Sequence, residues 1–190
     1  MRFDAVVAGA GPAGAAAARL LAEAGWWVAL VEKNSFPRPK VCGEFISAPS
    51  LAVLEACGIA DAFGRAAGPP VRRIALFAGE TMVQAPAKAA PWGRALGRDR
   101  LDTMLRDAAV AAGAVLFQPR ELTGLERDGE DHRARLDDGT VLSARAIIAA
   151  CGSWGSKPPF AIAAPDRPSD LLAFKAHFSG GALAEGVMPL

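Results

Sequence analysis

Apolar residues recur with two different periods along this chain, and the changes of period predict alternating strands and helices. Residues 3–8 and 27–31 are short, mostly apolar runs, as expected of parallel strands that are buried on both faces. The alanine-rich segment between them predicts a helix that ends at Gly25. The first 32 residues therefore predict a strand–helix–strand unit.

Two later helices are predicted from their capping residues and their spacing. Residues 47–57 favour a helix that has Ser47 as its N-cap. Residues 99–113 favour another helix, for which Asp99 is the expected cap. Apolar residues at helical spacing predict its buried face, namely Leu101, Met104, Leu105 and Ala108.

Several other segments predict strands, because they are short, rich in apolar or β-branched residues and bounded by turn residues. Residues 71–87 predict a hairpin around a Gly-Glu turn, and residues 114–119 predict a third parallel strand. A three-stranded meander is predicted at residues 121–144 and a further apolar strand at residues 146–150. Two strands are predicted near the end of the chain, one at residues 171–178 and one that starts near Val187.

Composition excludes several classes of protein. The 21 Lys and Arg residues nearly balance the 20 Asp and Glu residues, which argues against nucleic acid as a partner. No apolar run reaches the 18 residues or so of a membrane span, and we expect no signal peptide at the N-terminus. Three widely spaced cysteines, Cys42, Cys57 and Cys151, suit a reducing cytoplasm. Without a CxxC pair or clustered histidines, we expect no metal site.

The strongest chemical signal is a G-x-G-x-x-G pattern at the end of the first predicted strand. Gly9 permits the tight turn, Gly11 lets the backbone approach a pyrophosphate, and Gly14 lets the helix pack closely on the strand. The free N–H groups at the helix start favour a phosphate. Glu32 ends the second strand, 18 residues after Gly14, where a carboxylate can accept hydrogen bonds from both ribose hydroxyls. This arrangement predicts a dinucleotide site, and the charge of Glu32 argues against NADP in it.

The loop FPRPKVCGEF at residues 36–45 raises a second question. A metal site is excluded because companion ligands are absent, and a redox disulfide because no second cysteine lies nearby. Two interpretations remain open: a solvated connector, or a segment that follows the cofactor toward its reactive ring. Cys42 is correspondingly either a residue that influences the cofactor or a packed small side chain.

The chain resembles the FAD-binding domain shared by geranylgeranyl reductase-like flavoproteins and aromatic-ring hydroxylases (group A monooxygenases). Three pieces carry the resemblance: the glycine pattern ending in Glu32, Arg98 at the head of a helix in GRDRLDTML, and the apolar strand and glycine turn in AIIAACGSWGS. Cys151 stands where that superfamily usually has aspartate. The segment PRPKVCGE resembles the reductase branch in particular.

The resemblance implies an α/β fold, with a parallel sheet and a small antiparallel meander in a Rossmann-like FAD-binding domain. That domain is expected over residues 1–165, interrupted by a β insert at about 70–90, and residues 166–190 are expected to start a substrate-domain sheet. The family's chains are about twice this length. We therefore favour a fragment of a longer flavoprotein, with a non-catalytic binding module of the same fold as the alternative.

The resemblance also implies the cofactor contacts. The glycine loop is expected to bind the pyrophosphate, Glu32 the ribose and Lys33 the adenosine. Arg38, Cys42 and Gly43 are expected along the cofactor toward the isoalloxazine. The complete set of expected cofactor-binding residues is Gly9, Gly11, Pro12, Ala13, Gly14, Glu32, Lys33, Arg38, Cys42, Gly43, Arg98, Leu122 and Gly152.

The function implied is that of an FAD-dependent oxidoreductase acting on a lipidic or aromatic small molecule. The sequence shows no second nucleotide-binding unit, so either NAD(P)H binds transiently to reduce the flavin or another protein delivers the electrons. The reaction is expected to be reduction of an isoprenoid C=C bond, with hydroxylation by O₂ as the alternative. No catalytic residue is identified, and Cys42 is only a candidate. A cytoplasmic location is expected, either free or peripheral to a membrane.

Overall fold

The computed structural model describes residues 1–87, 90–152 and 173–190. Its helices are α1 (Pro12–Glu23), α2 (Ala48–Ala56), α3 (Ala60–Ala66) and α4 (Arg98–Ala111). Its strands are β1 (Arg2–Ala8), β2 (Val28–Val31), β3 (Phe45–Ile46), β4 (Arg73–Ala78), β5 (Thr81–Pro86), β6 (Arg94–Ala95), β7 (Val115–Phe117), β8 (Leu122–Asp128), β9 (Asp131–Leu136), β10 (Val141–Ala149) and β11 (Val187–Pro189). These elements confirm the α/β class.

The chain divides into two units. The first comprises residues 1–39 and the described part of 99–172, and the second comprises residues 40–98 and 173–190. The predicted boundary near residue 165 lies outside the described residues.

A six-stranded sheet organises the first unit, in the order β7-β2-β1-β10-β9-β8. The neighbours β7, β2, β1 and β10 run parallel, whereas β9 is antiparallel to both β10 and β8. The third parallel strand and the meander are thereby confirmed. The sheet places the ends of β1 and β2, where the glycine loop and Glu32 follow, at the same edge.

One strand takes the place of two that were predicted separately. The last strand of the meander and the apolar strand at residues 146–150 form a single strand, β10. Its first half pairs with β9, and nearly its whole length pairs with β1, from Ser143 opposite Arg2 to Ala149 opposite Ala8. The expectation of two strands was wrong because the polar residues in the first half of β10 are paired within the sheet rather than forming a break.

The parallel strands are buried on both faces, which explains their continuous apolar runs. On one face, Val7, Val28 and Leu30 pack with Ala18 of α1 and Ala109 of α4. On the other face, alternate residues of the same strands pack with the meander, in a cluster that contains Phe3, Val6, Ala8, Ala29, Val31, Leu122, Ala134, Leu136, Leu142 and Ala144. Each strand therefore contributes alternate residues to two cores.

Helix α4 differs from its prediction in two respects. It begins at Arg98, so Asp99 lies in the first turn and is not the cap. Its fully buried residues are Leu101, Asp102, Leu105 and Ala109, while Met104 and Ala108 are half-buried. The apolar pattern located the buried face but did not include the carboxylate within it.

The second unit contains a three-stranded sheet, in the order β11-β4-β5. The predicted hairpin is confirmed, since β4 and β5 pair antiparallel around the Gly79-Glu80 turn. The predicted strand near Val187 is also present, and it pairs parallel with β4. The strand predicted at residues 171–178 was wrong over its described part, because residues 173–178 form no strand. Among the described residues, no helix is both long enough and apolar enough to cross a bilayer.

Candidate functional site

The glycine loop connects β1 to α1 through two positions where a side chain does not fit. Gly9 has a φ of +105°, and a Cβ added there would lie 2.4 Å from the carbonyl oxygen of Ala150. A Cβ on Gly14 would lie 1.8 Å from the carbonyl oxygen of Gly9. These two glycines are therefore required by the packing of the loop itself.

Gly11 has a different reason to be glycine. It is the N-cap of α1, with extended backbone angles that any residue can adopt. Among the described residues, a Cβ added to it would meet only Nη2 of Arg38, at 4.0 Å. The next helical residues, Pro12 and Ala13, are half-buried and exposed respectively. This start of the helix is therefore open to a ligand, as a backbone that approaches phosphate requires.

Glu32 is buried beside the loop, with only 4% of its surface exposed. Its Oε2 accepts a hydrogen bond from the amide of Ala10 at 2.9 Å. Its Oε1 accepts from both the amide and the side-chain nitrogen of Asn34, at 2.9 and 3.0 Å. Because a carboxylate has about four acceptor positions, these three bonds leave one on Oε2, which a ribose hydroxyl can use.

The guanidinium of Arg38 lies near the carboxylate of Glu32, beside the glycine loop. Its Nη2 lies 3.8 Å from Oε2 of Glu32 and 3.6 Å from Oδ2 of Asp102. The guanidinium carbon lies 4.9 Å from the centre of the Phe36 ring, a cation–π contact. Its Nε is buried and has no hydrogen-bond partner among the described residues. A buried donor without a partner costs about 1–3 kcal/mol, so a bound anion would stabilise this arrangement.

The residues present fit the FAD expected at this site. An open glycine backbone and an orphaned Nε on Arg38 offer donors to a pyrophosphate. Glu32 keeps an acceptor position for ribose.

Asp102 is a residue of this site that was not predicted from the sequence. It is fully buried. The signal was available, because Asp102 lies three and seven residues before Leu105 and Ala109 and so shares their buried face.

The remaining predicted residues of the first unit surround the sheet edge without forming one cluster. Lys33 is exposed, with its Nζ 3.6 Å from Oε1 of Glu121. Leu122 is buried at the start of β8. Gly152 is exposed and has a φ of +79°. The thiol of Cys151 donates to the carbonyl of Ala8 at 3.5 Å, and its desolvation there raises its pKa.

The second unit holds Cys42, Gly43 and Arg98, and the residue that connects them is Glu44. Glu44 has a φ of 57°, which is strained for a residue with a side chain. Its amide donates to Sγ of Cys42 at 3.4 Å, and its Oε1 accepts from the amide of Arg98 at 3.1 Å. Gly43 is exposed.

Two further residues hold the Glu44 carboxylate, and neither was singled out from the sequence. Lys175 forms an ion pair with Oε1, and Nε2 of His177 lies 3.0 Å from Oε2. Burial of the carboxylate raises its pKa, but the bonds from Lys175, His177 and the Arg98 amide outweigh this and lower the pKa to about 2. Glu44 therefore remains ionised throughout the physiological range and anchors the backbone next to Cys42.

Within the described ranges, no group of three or more His, Cys, Asp or Glu side chains could hold a metal ion.

One protein-family model and several known proteins match this chain. The family model described as FAD binding domain matches residues 2–163 of the chain. A menaquinone reductase from Mycobacterium tuberculosis is 33% identical over 157 residues, which cover 79% of this chain and 38% of that protein. Digeranylgeranylglycerophospholipid reductase 1 from Methanopyrus kandleri is 35% identical over 165 residues, which cover 80% of this chain and 40% of that protein.

A solved structure shows a similar fold. It is that of a geranylgeranyl bacteriochlorophyll reductase-like protein from Thermoplasma acidophilum, with a TM-score of 0.64 and 26% identity. The match covers 78% of this chain and 39% of that one. The chain thus spans 38–40% of the length of these relatives.

Proposed function

We propose, since the chain belongs to the family of FAD binding domains, that it forms the cofactor-binding part of an FAD-dependent oxidoreductase. The reaction that we propose is reduction of carbon–carbon double bonds in an isoprenoid or a related small molecule. Bound FAD would supply the redox chemistry as a carrier of electron pairs, while the chain supplies position and charge.

The observation that carries the cofactor proposal is the hydrogen bond between Glu32 and the backbone of the glycine loop. The Ala10 amide holds Oε2 of Glu32 in place, so the ribose acceptor and the phosphate-binding backbone form one rigid arrangement. Arg38 adds positive charge and a buried donor without a partner at the same edge of the sheet. A sugar hydroxyl and a phosphate at this spacing are features of a dinucleotide.

The other cofactor contacts remain predictions from the resemblance. We propose that Pro12, Ala13, Lys33, Leu122 and Gly152 contact FAD from the first unit. For the second unit, we propose that Cys42, Gly43 and Arg98 contact it.

The substrate class is proposed from the relatives and from the loop. Two relatives are named as reductases of menaquinone and of digeranylgeranylglycerophospholipid, and a solved relative is described as geranylgeranyl bacteriochlorophyll reductase-like. Geranylgeranyl groups are isoprenoid chains, and the segment PRPKVCGE favours the same branch. We further propose NAD(P)H or a partner protein as the electron donor, and action at a membrane surface, where lipid substrates reside.

Titration of the chain with FAD, followed by flavin fluorescence, tests the cofactor site. We expect weak saturable binding that Glu32→Ala reduces at least about tenfold, since a hydrogen bond to a charged group contributes about 1.5–3 kcal/mol. Glu23→Ala is the matched control, because Glu23 is exposed at the end of α1 and pairs with Arg19. Equal affinities for the wild type and Glu32→Ala would overturn the proposed site.

The reaction is tested by incubating the FAD-loaded oxidoreductase, of which this chain is proposed to form the cofactor-binding part, with NAD(P)H and a panel of isoprenoid lipids, under nitrogen and under ¹⁸O₂. We expect a product that gains two hydrogens and carries no ¹⁸O under either atmosphere. Incorporation of ¹⁸O into the product would refute the reductase proposal and favour hydroxylation.

A further inference from the structure

Asp102 is a fully buried carboxylate that the cofactor contacts expected above do not use. It is the fifth residue of α4, on the face that also buries Leu105 and Ala109. Burying a charged group is costly unless opposite charge or hydrogen bonds compensate it. One compensating group is Arg38, whose Nη2 lies 3.6 Å from Oδ2 of Asp102.

The guanidinium of Arg38 lies between two buried carboxylates and is too far from either for a hydrogen bond. Its Nη2 is 3.6 Å from Asp102 and 3.8 Å from Glu32, and both distances exceed those of a hydrogen bond. The two nearly equal distances indicate opposing attractions. The face of the Phe36 ring further restrains the guanidinium.

We propose that Asp102 is a positioning residue that holds Arg38 away from Glu32 and directs it toward the phosphates of an adenine dinucleotide. This inference rests on the proposed function, because it assumes a dinucleotide at the glycine loop. Without the charge of Asp102, the guanidinium moves onto Glu32, since opposite charges attract strongly where water is excluded. That pair would fill the acceptor position on Oε2 that the ribose needs, and it would withdraw Arg38 from the phosphates.

Two contacts support the direction in which Arg38 is held. The nearest described atom to a Cβ built on Gly11 is Nη2 of Arg38, so the guanidinium faces the glycine loop. Its Nε is buried without a partner among the described residues, so a donor remains for an incoming oxygen. Asp102 thus determines which of two partners, Glu32 or the ligand, the guanidinium binds.

The first test measures ADP binding by calorimetry, because ADP carries both the ribose and the pyrophosphate. We expect Asp102→Asn to weaken ADP binding about tenfold, which is the lower end of the effect of losing one hydrogen bond to a charged group. Asp102→Glu should restore part of the affinity, because it keeps the charge. Asp107→Asn is the matched control, since it removes an exposed carboxylate from the same helix.

A double-mutant cycle separates positioning from a general effect on the fold. In an Arg38→Gln background, Asp102→Asn should change the ADP affinity by less than about twofold, because its effect passes through Arg38. An equal loss in both backgrounds, or no loss in the wild-type background, would overturn the proposal.

A second readout needs no ligand. In the ¹⁵N–¹H spectrum of the free chain, the Nε–H resonance of Arg38 is identified by its loss in Arg38→Gln. We expect Asp102→Asn to shift this resonance and slow its exchange with water, as Arg38 closes on Glu32, and Asp107→Asn to leave it in place. An unchanged resonance in Asp102→Asn would overturn the proposal. Failure of the wild type to bind ADP would instead contradict the nucleotide site, and this spectrum would still decide the role of Asp102.

Discussion

Replacing Gly14 or Gly11 by alanine separates the structural from the ligand-binding part of the glycine loop. A Cβ at Gly14 would lie 1.8 Å from the carbonyl oxygen of Gly9. The backbone must therefore move by at least about 1 Å, in a region packed as densely as other protein interiors. At Gly11, no atom of the described part of the chain lies nearer to the added Cβ than Nη2 of Arg38, at 4.0 Å.

The expected loss of stability in Gly14→Ala follows from two opposing effects. Overpacking costs about 1–3 kcal/mol, and a clash with backbone belongs at the upper end because backbone cannot rotate away. Alanine in a helix recovers about 1 kcal/mol relative to glycine. We therefore expect Gly14→Ala to destabilise the protein by about 2 kcal/mol and to lower Tm by about 4–8 °C for a chain of this size.

Gly11→Ala should destabilise the protein less than Gly14→Ala does, and it should weaken FAD binding directly. Its Tm should fall by about 1–4 °C, because alanine at an N-cap costs about 0.5–1 kcal/mol relative to glycine. Its affinity for FAD should fall at least about tenfold, since the Cβ occupies the space where backbone approaches phosphate. Thermal melts and FAD titrations of both variants provide the assay. A Gly14→Ala variant with unchanged Tm, or a Gly11→Ala variant with full affinity, would refute this reasoning.

Two further predictions concern the second unit. The lowered pKa of Glu44, about 2 instead of 4.5, should contribute on the order of 2–3 kcal/mol that is present above pH 4.5 and lost as the pH falls toward 2. Denaturant unfolding across that range should show the loss in the wild type, and a similar slope in Glu44→Gln would contradict it. Arg94→Ala should destabilise the unit by about 1.5–3 kcal/mol, because its guanidinium donates at 2.7–2.9 Å to three carbonyls near the end of α3. Arg94→Lys should recover only part of this in the same unfolding assay, and equal stability of all three proteins would show that these bonds contribute nothing.

The glycine loop was predictable because its constraints are local. Gly9, Gly11 and Gly14 lie within six residues, and the strand, turn and helix that they join are consecutive in the chain. Glu32 was predictable for a similar reason, since it ends the strand next to β1 and parallel strands place their ends at one edge. The sequence by itself thus determined the α/β class and the part of the candidate site that the glycine loop and Glu32 form.

Only the tertiary structure decided which charges complete that site. Arg38 and Asp102 belong to different elements, and neither position shows from the sequence that the other lies 3.6 Å away. The same holds for Lys175, which reaches Glu44 across 131 residues of chain. Strand β10 was likewise divided in the prediction, because its polar half takes its pairing from β9 and β1. Periodicity records which face of an element is buried, whereas the partner of a buried charge depends on how distant segments pack.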